Sequence, residues 1–148
     1  MSADIEISPL SEKTAPCVAK LEQELFSCPF SEADLMSYVS NEGWRLFVAT
    51  QNERVLGYVS LVCVLDELSI ANIATEPQSR RMGVASRLME HIICFAKENG
   101  FTKIFLEVRE SNVGAIALYK KFGFLPVGVS KNHYSQPREN AVLMNLEL

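Results

Sequence analysis

Apolar and polar residues alternate along "DIEIS" (Asp4–Ser8), the mark of a short strand. The period then lengthens. Val18, Leu21 and Leu25 fall on one helical face, and Pro16 is tolerated if it lies in that helix's first turn. "CPFSEADLMSYV" predicts a second helix, with Ser31 as cap, Asp34 three residues later, and Leu35, Met36 and Val39 behind them. "WRLFVAT" (Trp44–Thr50), a turn at "QNE" and "RVLGYVSLVCVLD" (Arg54–Asp66) predict a hairpin, and "ELSIANIAT" (Glu67–Thr75) a third strand of the same antiparallel meander. After "EPQS" the helical period returns from about Gly83 to Asn99. Its stripe is Ala85, Leu88, Met89, Ile92 and Ala96, and Gly100 stops it. "TKIFLEV" (Thr102–Val108) reads as a strand and "NVGAIALYKKF" (Asn112–Phe122) as a helix ended by Gly123. "FLPVGVSKN" and "NAVLMNLEL" read as two closing strands.

The order is therefore βααβββαβαββ. A strand–helix–strand unit from Ile70 to Val108 requires a parallel pair. The expected class is α/β (α+β): a mixed, mostly antiparallel sheet with a central parallel pair and helices on both faces. No linker, repeat or low-complexity stretch interrupts it, so residues 1–148 are expected to form a single domain.

Composition narrows the function. The net charge of −4 favours no nucleic-acid partner and mildly suits a basic substrate. No apolar run approaches the roughly 18 residues a membrane span requires. "MSADIEISPLSEK" has no apolar core and does not read as a secretory signal. Cys17, Cys28, Cys63 and Cys94 form no CxxC pair, and three sit among apolar residues. They read as reduced, non-catalytic thiols of a cytoplasmic protein. His91 and His133 are far apart and show no metal-ligand spacing, so no metal is expected.

One stretch breaks an electrostatic rule. Arg80 and Arg81 stand where a helix begins, an end that already carries partial positive charge. An anion would resolve the conflict. The loop follows a strand and precedes a helix, where ligands of crossover sheets bind. Gly83 permits a left-handed turn or a close approach, and Ala85 is small. Backbone N–H groups from Arg81 to Ser86 can then converge on a pyrophosphate, with both arginines adding charge. The stretch is neither a Walker loop nor a GxGxxG turn. The alternative is a solvated basic turn whose arginines meet Glu76 or Glu90.

Arg80-x-x-Gly83-x-Ala85 resembles the [Q/R]-x-x-G-x-[G/A] motif of the GCN5-related N-acetyltransferases (GNAT). The resemblance extends to "LDELSIANIAT", "LEVRESNVGAIALYKKFGF" and "NHYSQPRENAVLMNLEL", and so to essentially the whole chain. It implies the GNAT fold and acetyl-coenzyme A as co-substrate. The pyrophosphate would lie on Arg80, Arg81, Met82, Gly83, Val84, Ala85 and Ser86. The pantetheine arm would lie along backbone groups of Ile73, Ala74 and Thr75, at a splayed strand end, and Asn112 would also touch the cofactor. Within the family, the segments are similar to bacterial enzymes that acetylate the N-terminal alanine of a small-subunit ribosomal protein. "CPFSEADL" resembles their "PWSE" segment, with Phe30 where tryptophan is common. The implied partner is a ribosomal protein N-terminal peptide; charge and hydropathy lead to the expectation of no nucleic acid and no membrane, and the oligomeric state is not readable from the sequence, with a monomer favoured.

Acetyl transfer from a thioester to an amine needs a neutral amine, a stabilised oxyanion and a proton for the leaving thiolate. An α-amino group, with a pKa of about 7.7–8.0, is far easier to neutralise than lysine at about 10.4. Glu107 lies in "IFLEVRE", an apolar run that reads as a buried strand. Burial there would raise its pKa toward neutrality and suit a general base, whereas the alternative is an ion pair with Arg109 or a rim acid. Tyr119 shares a helical face with Ala115 and Ile116. It is either a core aromatic or a proton donor. The resemblance implies that Glu107 is the base, acting through water, and that Tyr119 is the acid and a cofactor contact. Asn112, otherwise an N-cap, joins them. Tyr134 resembles a substrate-pocket tyrosine. His133 stands where another is common, and either alters peptide preference or is simply exposed. Glu24, Asp34, Glu42 and Asp66 either attract a basic peptide or are solvated surface. Two rivals remain: a GNAT enzyme for lysine side chains or small amines, and a non-catalytic acyl-coenzyme A-binding module.

Overall fold

The computed structural model describes residues 4–26, 29–39, 41, 43–80, 82–135 and 137–148. Cys28, Glu42 and Arg81, singled out above, lie outside the described residues. The elements follow the expected order: β1 (Glu6–Pro9), α1 (Ala15–Leu25), α2 (Glu32–Val39), β2 (Trp44–Gln51), β3 (Arg54–Val64), β4 (Glu67–Thr75), α3 (Val84–Glu98), β5 (Lys103–Arg109), α4 (Val113–Lys121), β6 (Leu125–Tyr134) and β7 (Glu139–Glu147). A short 3-10 turn, Pro77–Ser79, leads into α3.

Local chemistry sets the boundaries. Pro16 sits in the first turn of α1, where its missing N–H has no intrahelical partner to lose. Ser31 and Asp34 form a reciprocal capping box: the Asp34 N–H donates to Ser31 Oγ at 3.1 Å and the Ser31 N–H to Asp34 Oδ2 at 3.0 Å. The Ser31 N–H foremost, and the Ser31 hydroxyl after it, hold the Asp34 carboxyl below its usual value. Helix α3 starts on Gly83 at φ +77°, and Gly100 past its end takes φ +77° as well. Asn112 caps α4, its Oδ1 accepting the Ala115 N–H at 3.2 Å.

One seven-stranded sheet results, in the order β1-β2-β3-β4-β5-β7-β6. Strands β4 and β5 are the parallel pair, because α3 must cross between them. The other neighbours are antiparallel. Both faces of the central strands are covered, which is why β2 and β3 read as near-continuous apolar runs. On β2, Leu46 and Val48 join Val18, Leu21 and Leu35 of α1 and α2. Phe47 and Ala49 join Leu88, Met89 and Ile92 of α3. The cysteines fit their apolar surroundings less well than the sequence suggests: Cys17 and Cys94 are exposed, and Cys63 is half-buried.

The pairing of β4 with β5 is short. It holds at Glu67–Lys103, Leu68–Ile104 and Ser69–Phe105 and goes no further. On the other side of β4, Leu61 pairs with Ile70 and Ser60 with Asn72, so Ala71 is an extra residue. The buried Ser60 hydroxyl accepts the Asn72 N–H at 3.1 Å and fastens this irregularity. Such a bulge bends its strand. Beyond it, β4 stays with β3 to Thr75 while β5 stays with β7 to Arg109. The strands part, and the facing edge of β4 is left unpaired.

Gly57 of β3 sits beside the far end of β4. A Cβ there would lie 2.4 Å from the Ala74 carbonyl oxygen and 3.0 Å from Val84 Cγ1. A side chain would press both on β4 and on the first residue of α3. We expect Gly57→Ala to destabilise the fold by about 1–3 kcal/mol, the range for overpacking. It should lower the denaturant midpoint in equilibrium unfolding with little change in slope.

Candidate active site

The parting of β4 and β5 opens a trough of three cavities joined by shared walls. The first, about 240 Å³, lies at the start of α3 and is lined by Thr75, Ser79, Arg80 and Gly83 to Ser86. The second, about 560 Å³, shares Thr75, Arg80 and Ala85 with it and adds Ile73, Ala74, Asn112 and Tyr119. The third, about 580 Å³, shares Ile73, Asn112 and Tyr119 with the second and reaches Glu107, Arg109, His133 and Tyr134. Residues scattered through the sequence are thus strung along one groove.

The end at α3 leaves backbone donors open. No side chain caps the helix, so its first-turn N–H groups have neither an intrahelical nor a side-chain partner. Around Gly83 a Cβ would meet nothing within 4 Å, so the left-handed backbone, rather than space, requires glycine. Arg80 has no acidic partner among the described residues. Glu76, its candidate partner in the solvated-turn alternative, instead meets Arg54 at 2.7 Å and accepts from Ser79 Oγ at 2.5 Å. A positive field with open donors fits a diphosphate. Met82 does not take part in the same way: it lines none of the three cavities, and its N–H donates to the Ser79 carbonyl at 3.3 Å.

In the middle stands Tyr119, only 5% exposed and packed against Phe124 at 6.0 Å between ring centroids. Burial, with a smaller push from Tyr134, raises its phenol to about 12. It therefore presents an O–H throughout the physiological range. Asn112 lines the second and third cavities while capping α4, so the cap leaves it a place in the groove.

Glu107 corrects an expectation. The apolar run around it reads as a buried strand, yet its side chain is 39% exposed. Alternation sends Leu106 and Val108 into the core and Glu107 to the opposite face, where β4 has moved away. Nor does it pair with Arg109. That guanidinium meets Glu139 at 3.2 Å, donates to the Pro137 and Ser135 carbonyls at 3.1 and 3.5 Å, and lies 4.4 Å over the Tyr134 ring. The partner of Glu107 is His133, with Nε2 2.6 Å from Oε2. The Tyr134 phenol is raised by burial first and by the Glu107 charge next, with Arg109 opposing.

Two more residues matter here, and neither was singled out from the sequence. Phe26 lines both larger cavities. Glu22, 1% exposed, accepts hydrogen bonds from the Tyr58 hydroxyl and, at 3.3 Å, from the Phe30 N–H, and so ties α1 to the segment leading into α2. Its signal was available: an acid four residues after Val18, between Leu21 and Leu25, on an apolar helical face. Of the acids expected to draw a basic peptide, the three among the described residues do not line the trough. Asp34 is a helix cap, Asp66 accepts from Thr102, and Glu24 faces a separate cavity beside Arg54. Among the described residues no cluster of three His, Cys, Asp or Glu side chains could hold a metal, and no helix is long and apolar enough to cross a membrane.

The sequence pattern of the acetyltransferase (GNAT) family matches residues 16–124. The chain belongs to this family. It is a GNAT acetyltransferase, and GNAT enzymes take acetyl-coenzyme A as co-substrate. The [ribosomal protein bS18]-alanine N-acetyltransferase of Escherichia coli K12 is 36% identical over 146 residues, covering 96% of this chain and 97% of that one. A putative enzyme of the same name from Bacillus subtilis is 31% identical, covering 86% and 85%. The crystal structure of the Escherichia coli ribosomal-protein-S18-alanine N-acetyltransferase superposes with a TM-score of 0.87 at 34% identity, covering 97% of this chain and 94% of that one. Ard1 from Thermoplasma volcanium follows at 0.84 and 28%, covering 97% of each.

The Tyr119 environment has a direct test. The phenolate absorbance lost in Tyr119→Phe should appear only as pH approaches about 12, against about 10 for free tyrosine. Because the folded value is the higher one, the contribution to stability is full below about 10 and is lost as pH rises through about 12.

Proposed function

We propose that this GNAT protein is an acetyl-coenzyme A-dependent Nα-acetyltransferase that acetylates the N-terminal alanine of ribosomal protein bS18. The observation that carries the proposal is the single trough joining an uncapped, glycine-started helix to Tyr119 and Glu107. Relatives that share about a third of their residues over nearly the whole chain and bear that substrate in their names support it.

Arg80 and the first-turn N–H groups of Gly83, Val84, Ala85 and Ser86 would hold the diphosphate. The unpaired edge of β4 at Ile73, Ala74 and Thr75 offers backbone donors and acceptors to the pantetheine arm and donors to a carbonyl oxygen, with Asn112 opposite. Preorganised donors of this kind are often the largest catalytic contribution. When bound, acetyl-coenzyme A supplies the acetyl group as a thioester. Glu107 takes a proton from the incoming ammonium, directly or through water. Tyr119 offers its phenol hydrogen where the sulfur departs. Tyr134 walls the peptide side.

The choice of amine follows from magnitudes. Neutralising an α-ammonium near pH 7 costs about 1 kcal/mol, and a lysine ammonium nearly 5. With Glu107 at an exposed end of the trough, that difference favours a protein N-terminus.

Three outcomes test the reading. An alanine-starting peptide should be acetylated, and its N-blocked, lysine-containing twin should not. Glu107→Gln and Tyr119→Phe should each lower kcat by about 10²–10⁴-fold, with the acetyl-coenzyme A KM little changed. Unchanged kcat in both variants would remove the acid–base roles. Arg80→Glu should weaken acetyl-coenzyme A binding by roughly ten-fold or more, read as a Kd by calorimetry.

A further inference from the structure

Strand β6 is the edge of the sheet, and β7 separates it from β5. His133 of β6 nevertheless meets Glu107 of β5 across β7. The backbone of β6 is shaped to allow this. Its pairing with β7 holds at Ser130–Ala141 and resumes at Tyr134–Glu139, so Lys131, Asn132 and His133 stand against Asn140 alone. Asn132 takes a left-handed φ of +54°, a conformation asparagine tolerates better than most residues. Its N–H donates to Asn140 Oδ1 at 2.9 Å and fixes the bulge. Bulges re-aim side chains beside functional sites, and this one carries an imidazole over a neighbouring strand.

Both ring nitrogens have partners. An ionised carboxylate only accepts, so the 2.6 Å contact requires the proton on Nε2. In the neutral ring Nδ1 is then an acceptor, and the Ser130 hydroxyl stands 3.2 Å from it to donate. With neither nitrogen open to an amine, the imidazole is not the base. Oε1 of Glu107 takes no partner among the described residues and remains the open acceptor. Arg109, two residues along β5, is occupied by Glu139, two loop carbonyls and the Tyr134 ring.

We infer that His133 is a positioning residue: it grips Oε2 of Glu107 from the edge strand and fixes the carboxylate, leaving Oε1 to receive the proton of the substrate amine. The inference rests on Glu107 being the base, and the test separates the two. Steady-state kinetics with an alanine-starting peptide and acetyl-coenzyme A would compare His133→Phe, His133→Gln, Glu107→Gln and the double variant Glu107→Gln/His133→Phe. His133→Phe keeps a ring but no donor and should lower kcat roughly ten-fold or more at an unchanged acetyl-coenzyme A KM. His133→Gln restores an N–H donor and should recover most of that loss. In the Glu107→Gln background, His133→Phe should cost nothing further. The proposal is overturned if His133→Phe costs the same in both backgrounds. It is likewise overturned if that variant raises only the peptide KM, or leaves kcat untouched while Glu107→Gln lowers it. If Glu107→Gln itself leaves kcat unchanged, the base assignment falls first and this inference with it.

Discussion

Everything distinctive in this molecule depends on β4 leaving β5 after three residue pairs. Parallel strands ordinarily keep their ladder, because unpaired backbone groups away from water are costly. Here β4 gives up that ladder and is bent by an extra residue that a buried serine hydroxyl secures. The edge of β4 is left unpaired toward β5, and the space beside it becomes the trough. A sheet without that irregularity would hold the same helices and core and have no place for a substrate arm.

The second constraint is electrostatic. Helix α3 begins on a left-handed glycine with no side-chain cap, and Arg80 adds charge to an end that is already positive. Such an arrangement is unfavourable alone and favourable with a polyanion seated on it. The two features cooperate through Gly57, whose missing Cβ lets Val84 and the end of β4 approach β3 together. The start of α3 and the open strand edge are therefore placed relative to one another by core packing and not by a loop alone.

Much of this was readable from residues alone because the hydrophobic period changes cleanly at each boundary. The change of period places β4 at Glu67–Thr75 and α3 within a residue or so of its ends. The anion loop was readable because Arg80, Gly83 and Ala85 are near neighbours in sequence. Glu107 was not readable in the same way. Period two says that it faces away from Leu106 and Val108, but not that the strand beside it has departed. His133 was hidden for a related reason. Its reach depends on a bulge set by Asn132 and Asn140, a pairing irregularity that leaves no periodic trace. Glu22 lay between the two cases: its place on an apolar face was visible, but its partners Tyr58 and Phe30 were not.

In the proposed function a cofactor seat fixed by backbone geometry adjoins an amine seat at the parted strands, walled by residues from β5, α4 and β6. What remains to be decided by experiment is the protein to which that amine belongs. The most direct measurement is mass spectrometry of ribosomal proteins from cells lacking this chain, with and without complementation. The account predicts that bS18 alone loses its N-terminal acetyl group, regained with the wild-type chain but not with Glu107→Gln. A fully acetylated bS18 in the deleted cells would contradict it.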